Sequence, residues 1–299
     1  MRRPELADVM LLATVTLWAL NFTVTKYVIS HGFAPIAYGV LRFGAAALLF
    51  GAFTYYRERS FAIGRRDLGV LVVAALIGIF LNQISFVYAI KLTTATTVAL
   101  LFGTLPVMTG IFAFALGIER LGSRFWLAAV LAFGGAGLVA VGSGGGVSGQ
   151  LAGDLLGFAA SATWAWYTVS VSPLLQRYST LRLSALGFTI GTLPLVAVGA
   201  PQLLRQDYDL GVTIWLLLAF AVLGPLVLAN LLWFGGISRV GPSRASVFAN
   251  AQPFLAAVFS LLILSEPLGR LQVAGGFLIA CGILLARVPQ RVRPEPVTT

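Results

Sequence analysis

Polar and aromatic side chains lie inside apolar runs that are long enough to cross a bilayer. In the first run, Trp18 lies near the middle, and Asn21 and Thr25 follow at spacings that place them on the same general face of a helix. A polar group without a partner in hydrocarbon is costly, so such residues usually face a cavity or another polar group. These side chains predict a cavity that binds a small molecule through hydrogen bonds and ring faces.

Other runs supply similar residues at a similar depth. The segment TWAWYTV offers aromatic rings, and GIFLNQISFVY, GPLVLANLLWF and FANAQPF offer amides, among them Gln252. Each residue has an alternative role, because a tryptophan at mid-depth also packs helix interfaces and an amide also ties helices together. The candidate substrate-binding residues are Trp18, Asn21, Asn82, Gln83, Tyr88, Trp164, Tyr167, Asn230 and Asn250.

Two basic residues, Lys26 and Arg42, fall in the outer half of the predicted membrane region. Either can meet the carboxylate of a substrate, and either can instead extend toward the membrane surface. We take Lys26 as the candidate carboxylate contact. For Arg42 a structural role, in which it binds carbonyl groups at a helix end, is favoured.

The residues that metals and enzymes require are sparse. All ten acidic residues fall at the ends of apolar runs, in loops or in the tails, and the chain has one cysteine and one histidine. We therefore predict no metal site and no cofactor. The sequence also lacks HExxH, G-x-S-x-G and paired intramembrane aspartates, which argues against an enzyme.

Composition places the chain in a membrane. Of its 299 residues 59% are hydrophobic and 10% are charged. The net charge of +10 comes from basic residues that are isolated or in short clusters between apolar runs, which favours the lipid bilayer and not nucleic acid as the partner. A helix needs about 20 apolar residues to cross a bilayer. Ten such spans are predicted, at 7–29, 35–55, 67–90, 94–117, 124–142, 153–173, 182–200, 211–235, 243–264 and 271–288.

The distribution of Lys and Arg predicts the orientation of these spans. When loops are assigned alternately to the two sides, fifteen basic residues fall on one side and four on the other, with Arg42 inside a span. The rule that cytoplasmic loops are rich in Lys and Arg then places both termini in the cytoplasm.

The two halves of the chain resemble each other. A shift of 147 residues aligns many positions, which predicts a first repeat at 1–142, a periplasmic linker at 143–152 and a second repeat with a basic cytoplasmic tail at 153–299. The aligned pairs include Pro106 with Pro253, Glu119 with Glu266, and Gln83 with Asn230.

Each half contains five predicted spans, an odd number, so the second half enters the membrane from the opposite side. The predicted fold is an all-α polytopic membrane protein with ten transmembrane helices as two inverted five-helix repeats. This arrangement places a site between the halves near mid-membrane. Pro106 and Pro253 are predicted to kink their spans as hinges, and Glu119 and Glu266 to anchor span ends by pairing with nearby arginines.

Several long segments resemble a known family. These are LWALNFTVTKYVI and LRF in the first two spans, FVYAIKLTTATTVALLFGTLPVMTGIFAFALGIERLG across spans three and four, and LLWFGGISRVGPSRASVFANAQPFLAAVFSLLILSEPLG across spans eight and nine. They are similar to the EamA branch of the drug/metabolite transporter superfamily, and the overall look is nearest to aromatic amino-acid exporters of the YddG type. The resemblance covers nearly the whole chain.

The resemblance implies a bacterial inner-membrane exporter of aromatic and other neutral amino acids that works by alternating access. Export of drugs or other metabolites is the near alternative, and a lipid flippase or membrane scaffold is a further one. Because no acid is buried in a span, we expect facilitated diffusion or an indirect coupling to protons. Glycines in spans five and ten, such as Gly135 and Gly275, predict close helix approach, and both a monomer and a homodimer fit them.

Overall fold

The computed structural model describes residues 3–117, 122–142, 150–240, 248–249, 251–266 and 268–287, which contain helices and turns and no strand. The all-α class is thus confirmed for the described chain. The helices are α1 (Arg3–Ser30), α2 (Pro35–Glu58), α3 (Arg65–Ala75), α4 (Asn82–Leu92), α5 (Ala95–Phe102), α6 (Leu105–Ala115), α7 (Ser123–Gly142), α8 (Gln150–Val171), α9 (Thr180–Arg205), α10 (Gly211–Ala221), α11 (Ala229–Val240), α12 (Gln252–Leu264) and α13 (Arg270–Arg287).

Seven segments of the described chain are helical, long and apolar enough to cross a membrane. They correspond to predicted spans one to five, seven and eight. The helix α12 and the first part of α13 are apolar but shorter. Spans six, nine and ten therefore stay predictions. Of the predicted linker at 143–152, residues 150–152 belong to α8, and residues 143–149 lie outside the described residues.

The third and eighth spans carry the same irregularity at equivalent positions. A π-helical turn at Leu76–Leu81 joins α3 to α4, and another at Val222–Leu228 joins α10 to α11. Pro225 lies inside the second turn and has no N–H to donate, a defect that a wider turn accommodates. The π turns directly precede the helices that carry Asn82 and Asn230, so they set the direction of both amides.

The fourth span is broken before Pro106 and not at it. Helix α5 ends at Phe102, a turn at Gly103 and Thr104 follows, and Pro106 lies in the first turn of α6. Pro253 has the same place in the first turn of α12. Proline is tolerated there because the first N–H groups of a helix have no partner within it. The predicted kink is therefore corrected to a helix start that follows a break.

The two halves interleave. Helix α1 packs against α11 and α12 of the second half, and its equivalent, α8, packs against α4, α5 and α6 of the first half. Helix α2 packs on its equivalent α9, and α7 packs on its equivalent α13. Each contact of a first-half helix with the second half is thus matched by a contact of the equivalent second-half helix with the first half. A two-fold relation between the repeats requires this.

Equivalent helices run antiparallel. Gly44 of α2 faces Thr192 of α9, whereas Ile36 and Val40, nearer the start of α2, face Gly199, nearer the end of α9. Helices α7 and α13 show the same reversed order. Opposite directions of equivalent helices are the geometric property of an inverted repeat.

Two glycines bring the backbones of α7 and α13 together. A Cβ atom on Gly135 would lie 2.6 Å from the carbonyl oxygen of Gly275, and a Cβ atom on Gly275 would lie 2.5 Å from that of Gly135. Both distances are too short for carbon and oxygen without movement of a helix. The close approach predicted for spans five and ten is therefore present within one chain.

We predict that Gly135→Ala lowers the free energy of unfolding by about 1–3 kcal/mol, because the added methyl group forces the helices apart. Gly137→Ala is the matched control, since a Cβ atom there meets nothing within 4 Å and alanine is the better helix former. Thermal unfolding in detergent, followed by circular dichroism, measures both. Equal stability of the two variants would contradict the close packing.

Candidate functional site

A cavity of about 80 Å³ lies between the two halves. The first half contributes α1, α2, α4, α5 and α6 to its wall, and the second half contributes α8, α11, α12 and the second π turn. The lining residues are Trp18, Asn21, Phe22, Arg42, Phe43, Asn82, Gln83, Phe86, Phe102, Leu105, Trp164, Pro225, Leu226, Asn230 and Gln252. The structure thus brings together six of the nine predicted substrate-binding residues.

Two equivalent tryptophans meet at this wall. The ring centroids of Trp18 and Trp164 lie 6.1 Å apart with their planes at 85°, and Trp233 lies 5.1 Å from Trp18. The indole N–H of Trp18 donates to the carbonyl oxygen of Pro225 at 3.1 Å. Because its polar atom is satisfied and its ring is half-buried, Trp18 offers an apolar face to a flat group.

Two of the predicted amides, Asn82 and Asn230, use their N–H groups in hydrogen bonds within the protein. Nδ2 of Asn82 donates to the carbonyl oxygen of Ala160 at 2.7 Å and to Oγ1 of Thr163 at 3.1 Å, so it ties α4 to α8. Nδ2 of Asn230 donates to the carbonyl oxygen of Leu226, in the π turn before its helix, at 2.7 Å. The structural alternative, that an amide ties helices together, therefore applies to Asn82, whereas Asn230 bonds only its own helical segment; both also line the cavity.

Gln83 and Asn21 carry polar atoms without a partner. Nε2 of Gln83 and Oδ1 of Asn21 are buried and have no hydrogen-bond partner among the described residues. The residues are 1% and 8% exposed. Unsatisfied buried polar atoms are uncommon, and at a cavity wall they are positions where a ligand or water binds.

Arg42 brings a positive charge to the same wall. The residue is 2% exposed, its Nη1 donates to Oγ1 of Thr25 at 3.2 Å, and its guanidinium carbon lies 4.9 Å from the ring centre of Tyr38. Nε of Arg42 has no hydrogen-bond partner. No acidic residue is among those that line the cavity, and the described chain holds no cluster of His, Cys, Asp and Glu suited to a metal.

Lys26 lies outside the cavity lining. Its Nζ donates to the carbonyl oxygens of Ile90 at 2.9 Å and Thr93 at 2.7 Å, where α4 ends. The last carbonyls of a helix have no partner within it and carry partial negative charge, so an ammonium group stabilises them. The role expected for Arg42, contact with helix-end carbonyls, thus belongs to Lys26. A carboxylate contact of Lys26 stays a prediction.

Two other candidates, Tyr88 and Tyr167, do not line the cavity. Oη of Tyr88 accepts a hydrogen bond from Nε2 of Gln202 at 3.0 Å, away from the tryptophans. Tyr167 is 4% exposed and packs so closely on Gly78 that a Cβ atom there would lie 2.1 Å from that of Tyr167. Asn250 lies outside the described residues.

An aromatic wall was not predicted. The rings of Phe22, Phe86 and Phe102 pack edge to face, with centroids 5.2 to 6.1 Å apart. A sequence signal existed for two of them, since Phe22 follows Trp18 by four residues and Phe86 follows Gln83 by three, spacings that share a helix face. Because phenylalanine occurs in every predicted span, these positions did not stand out in the sequence.

Ion pairs join the two halves at one end of the bundle. Nη2 of Arg182 lies 2.8 Å from Oε2 of Glu58, and Nη1 of Arg177 lies 2.9 Å from Oδ2 of Asp67. Glu58 ends α2 and Arg182 lies in the first turn of α9, while Asp67 lies in the first turn of α3 and Arg177 lies between α8 and α9. In the predicted orientation this is the cytoplasmic end.

Hydrogen bonds join the halves at the opposite end. Oε1 of Gln206 accepts from the backbone N–H of Ala34 at 2.7 Å. The carboxylate of Glu266 accepts from the first two backbone N–H groups of α5, at 3.2 and 3.1 Å, and from Oγ1 of Thr96 at 3.0 Å. The prediction that Glu266 pairs with an arginine is therefore wrong, because a helix N-terminus binds its negative charge. Its equivalent, Glu119, lies outside the described residues.

A helical bundle with two interleaved, inverted halves around a central cavity is typical of the class of secondary membrane transporters. The chain belongs to the EamA-like transporter family, whose model matches residues 5–141 and again residues 151–288. The family identified by resemblance is therefore confirmed.

Similar proteins are named as uncharacterized transporters. YyaM of Bacillus subtilis (strain 168) is 27% identical over 299 residues, which cover 94% of this chain and 95% of YyaM. YetK of the same organism is 28% identical, over 85% of this chain and 78% of YetK. The uncharacterized inner membrane transporter YicL of Salmonella typhimurium (strain LT2) is 25% identical, over 94% and 95%. These relatives agree on a membrane transporter and name no substrate.

The same fold occurs in a solved structure. A protein crystal structure superposes on this chain with a TM-score of 0.67 at 20% identity. The superposition covers 97% of this chain and 99% of the chain in that crystal structure. Similarity at this level of identity concerns the fold alone.

We predict that Lys26→Met lowers the free energy of unfolding by about 1.5–3 kcal/mol, because it removes charge-assisted hydrogen bonds to the end of α4. Lys91→Met is the control, since Lys91 is exposed. Thermal unfolding in detergent compares the two. If Lys26→Met is as stable as the control and loses affinity only for carboxylate-bearing ligands, the structural role is excluded and the carboxylate contact is supported.

Proposed function

We propose that this transporter exports small metabolites, most specifically aromatic and other neutral amino acids, across the bacterial inner membrane by alternating access. The observation that carries the proposal is the central cavity, which both repeats line and at which Trp18 and Trp164 meet edge to face. At about 80 Å³ the cavity is smaller than pockets that enclose small molecules, so the halves must part further for a substrate to bind.

The chemistry of the wall supports an aromatic zwitterion. The indole faces suit a flat ring and also attract an ammonium group. The unpartnered amide atoms of Gln83 and Asn21 offer one donor and one acceptor to a polar headgroup. A wall with few charges allows such a group to leave again, which transport requires.

The connections at the two ends support alternating access. The ion pairs of Glu58 and Asp67 at one end, and the bonds of Glu266 and Gln206 at the other, all cross between the halves. Opening one end while the other stays joined exposes the cavity to one side at a time. The excess of Lys and Arg places the ion-paired end, with both termini, in the cytoplasm. The protein then works as a monomer or a homodimer.

One observation favours the lipid alternative. An apolar groove of about 600 Å³ lies between α2 and α9, lined by residues such as Leu48, Phe61 and Leu193, and a lateral groove is what a flippase needs. None of its lining residues lines the central cavity. Drugs and other metabolites are the second alternative, because one fold serves many substrates.

A transport panel in proteoliposomes decides between these substrates. Radiolabelled phenylalanine and leucine, a fluorescent dye and a fluorescent phospholipid are each measured with protein and with empty liposomes. We expect counterflow of phenylalanine and leucine above the empty control. Movement of lipid or dye without movement of either amino acid would replace the proposal by that alternative.

We predict that Trp164→Ala reduces phenylalanine counterflow about tenfold, because one of the two indole rings that line the cavity is lost. Trp126→Ala is the matched control, since Trp126 is exposed on α7 and does not line the cavity. The control is expected to transport like the unchanged protein. Unchanged transport by Trp164→Ala would remove this residue from the site.

We also propose that the breaks before Pro106 and Pro253 serve as hinges. Pro106→Ala is expected to lower the transport rate severalfold while the yield of folded protein stays the same, because an N–H donor at this position favours a continuous helix. Pro201→Ala, at an exposed site in α9, is the control. Equal loss of yield and rate in Pro106→Ala would indicate a structural role.

A further inference from the structure

We propose that Arg42 and Gln83 bind the carboxylate of the substrate in the central cavity. The transported class is then small molecules with one anionic group, either zwitterions or monoanions, and small organic cations are excluded. This inference rests on the proposed function, because it takes the cavity as the substrate site, and it assigns the carboxylate contact to Arg42 in place of Lys26.

The charge on Arg42 has no anionic partner. Among the described residues, Arg42 contacts the hydroxyl of Thr25 and the rings of Tyr38 and Phe43. The described residues form no salt bridge to Arg42 and offer no acceptor to its Nε. A buried charge without a counter-charge is strongly unfavourable. An arginine kept in this state at a cavity wall is explained by an anion that binds there in part of the transport cycle.

The position of Gln83 supplies a second donor beside it. A Cβ atom on Gly39 would lie 2.9 Å from Nε2 of Gln83, so the amide packs directly on α2, one turn before Arg42. Residues three apart on a helix share a face. Nε2 of Gln83 and Nε of Arg42 are therefore two unpartnered donors on one side of the cavity. A carboxylate, with two acceptor oxygens, satisfies both.

The remaining wall fits the rest of an amino acid. Oδ1 of Asn21 is an acceptor without a partner, and Asn21 lies one helical turn before Thr25, the residue that holds Arg42. An ammonium group next to the carboxylate can donate to this oxygen, and the faces of Trp18 and Trp164 are left for the side chain. Without a carboxylate, the ammonium group would face an uncompensated guanidinium. This repulsion excludes cations.

Lys26 could bind the carboxylate in place of Arg42 only by giving up its hydrogen bonds at the end of α4. Its ammonium group is bound by two carbonyl oxygens at the end of α4, and Lys26 is absent from the cavity lining. Arg42 also has the better geometry, because its planar guanidinium presents several donors in fixed directions to a carboxylate.

The first test uses the unchanged protein. Phenylalanine counterflow in proteoliposomes is inhibited with 3-phenylpropionate, which keeps the ring and the carboxylate, and with 2-phenylethylamine, which keeps the ring and the ammonium group. We expect 3-phenylpropionate to inhibit at least about tenfold more strongly than 2-phenylethylamine. Equal or stronger inhibition by 2-phenylethylamine would overturn the assignment of Arg42.

The second test uses variants and a binding readout. Quenching of tryptophan fluorescence in detergent gives the affinity for phenylalanine and for 2-phenylethylamine. Arg42→Gln is expected to weaken phenylalanine binding at least about tenfold and to leave 2-phenylethylamine unchanged or bound more tightly. Arg42→Lys is expected to recover part of the phenylalanine affinity. Arg205→Gln, at an exposed site on α9, controls for loss of any arginine.

The outcomes separate the two proposals. If the unchanged protein moves no amino acid, the proposed function fails first. If it moves phenylalanine and Arg42→Gln binds phenylalanine as before, the role of Arg42 is overturned while the proposed function stands. If Arg42→Gln does not fold, as size-exclusion chromatography would show, the inhibitor comparison in the unchanged protein decides.

Discussion

The hydrocarbon core of the bilayer offers no hydrogen-bond partner, and this constraint orders the structure. Every polar group within the bundle must be satisfied by the protein itself. Most of them are: Lys26 binds helix-end carbonyls, Asn82 ties two helices, and Thr25 holds Arg42. Of the buried polar atoms without a partner, three belong to residues that line the central cavity, namely Arg42, Gln83 and Asn21, whereas others, such as Oγ1 of Thr54 and Thr192, lie elsewhere in the bundle. The three at the cavity are where a ligand is expected.

The inverted repeat explains why this cavity lies between the halves. Each half sends its first helix into the other half, so neither half can bury its helix faces alone. Irregular backbone recurs at equivalent positions. The third span of each half contains a π turn, and a break precedes Pro106 and Pro253. Backbone of this kind is tolerated at membrane depth where neighbouring protein surrounds it. The repeat thereby concentrates deformable elements around one central space.

Within this symmetric scaffold the binding groups are asymmetric. Trp18 and Trp164 are equivalent and both line the cavity. The equivalent of Arg42, by contrast, is Thr189, whose hydroxyl donates to a carbonyl of its own helix. The free amide N–H of Gln83 also has a bonded counterpart in Asn230. The two halves thus share the task of forming the cavity, while one half carries the charge that distinguishes among ligands.

The sequence by itself determined the membrane class, the helical fold, the internal repeat and the family, because hydropathy, parity and spacing act along the chain. It also indicated which polar residues lie deep in the membrane, and six of its nine binding candidates do line the cavity. It did not determine their partners. Whether Lys26 or Arg42 meets the helix-end carbonyls, and whether Tyr167 is packed or free, depends on which helices become neighbours. Only the tertiary structure decided this, since a polar side chain in hydrocarbon takes its role from the group within about 3 Å of it, which comes from another part of the chain.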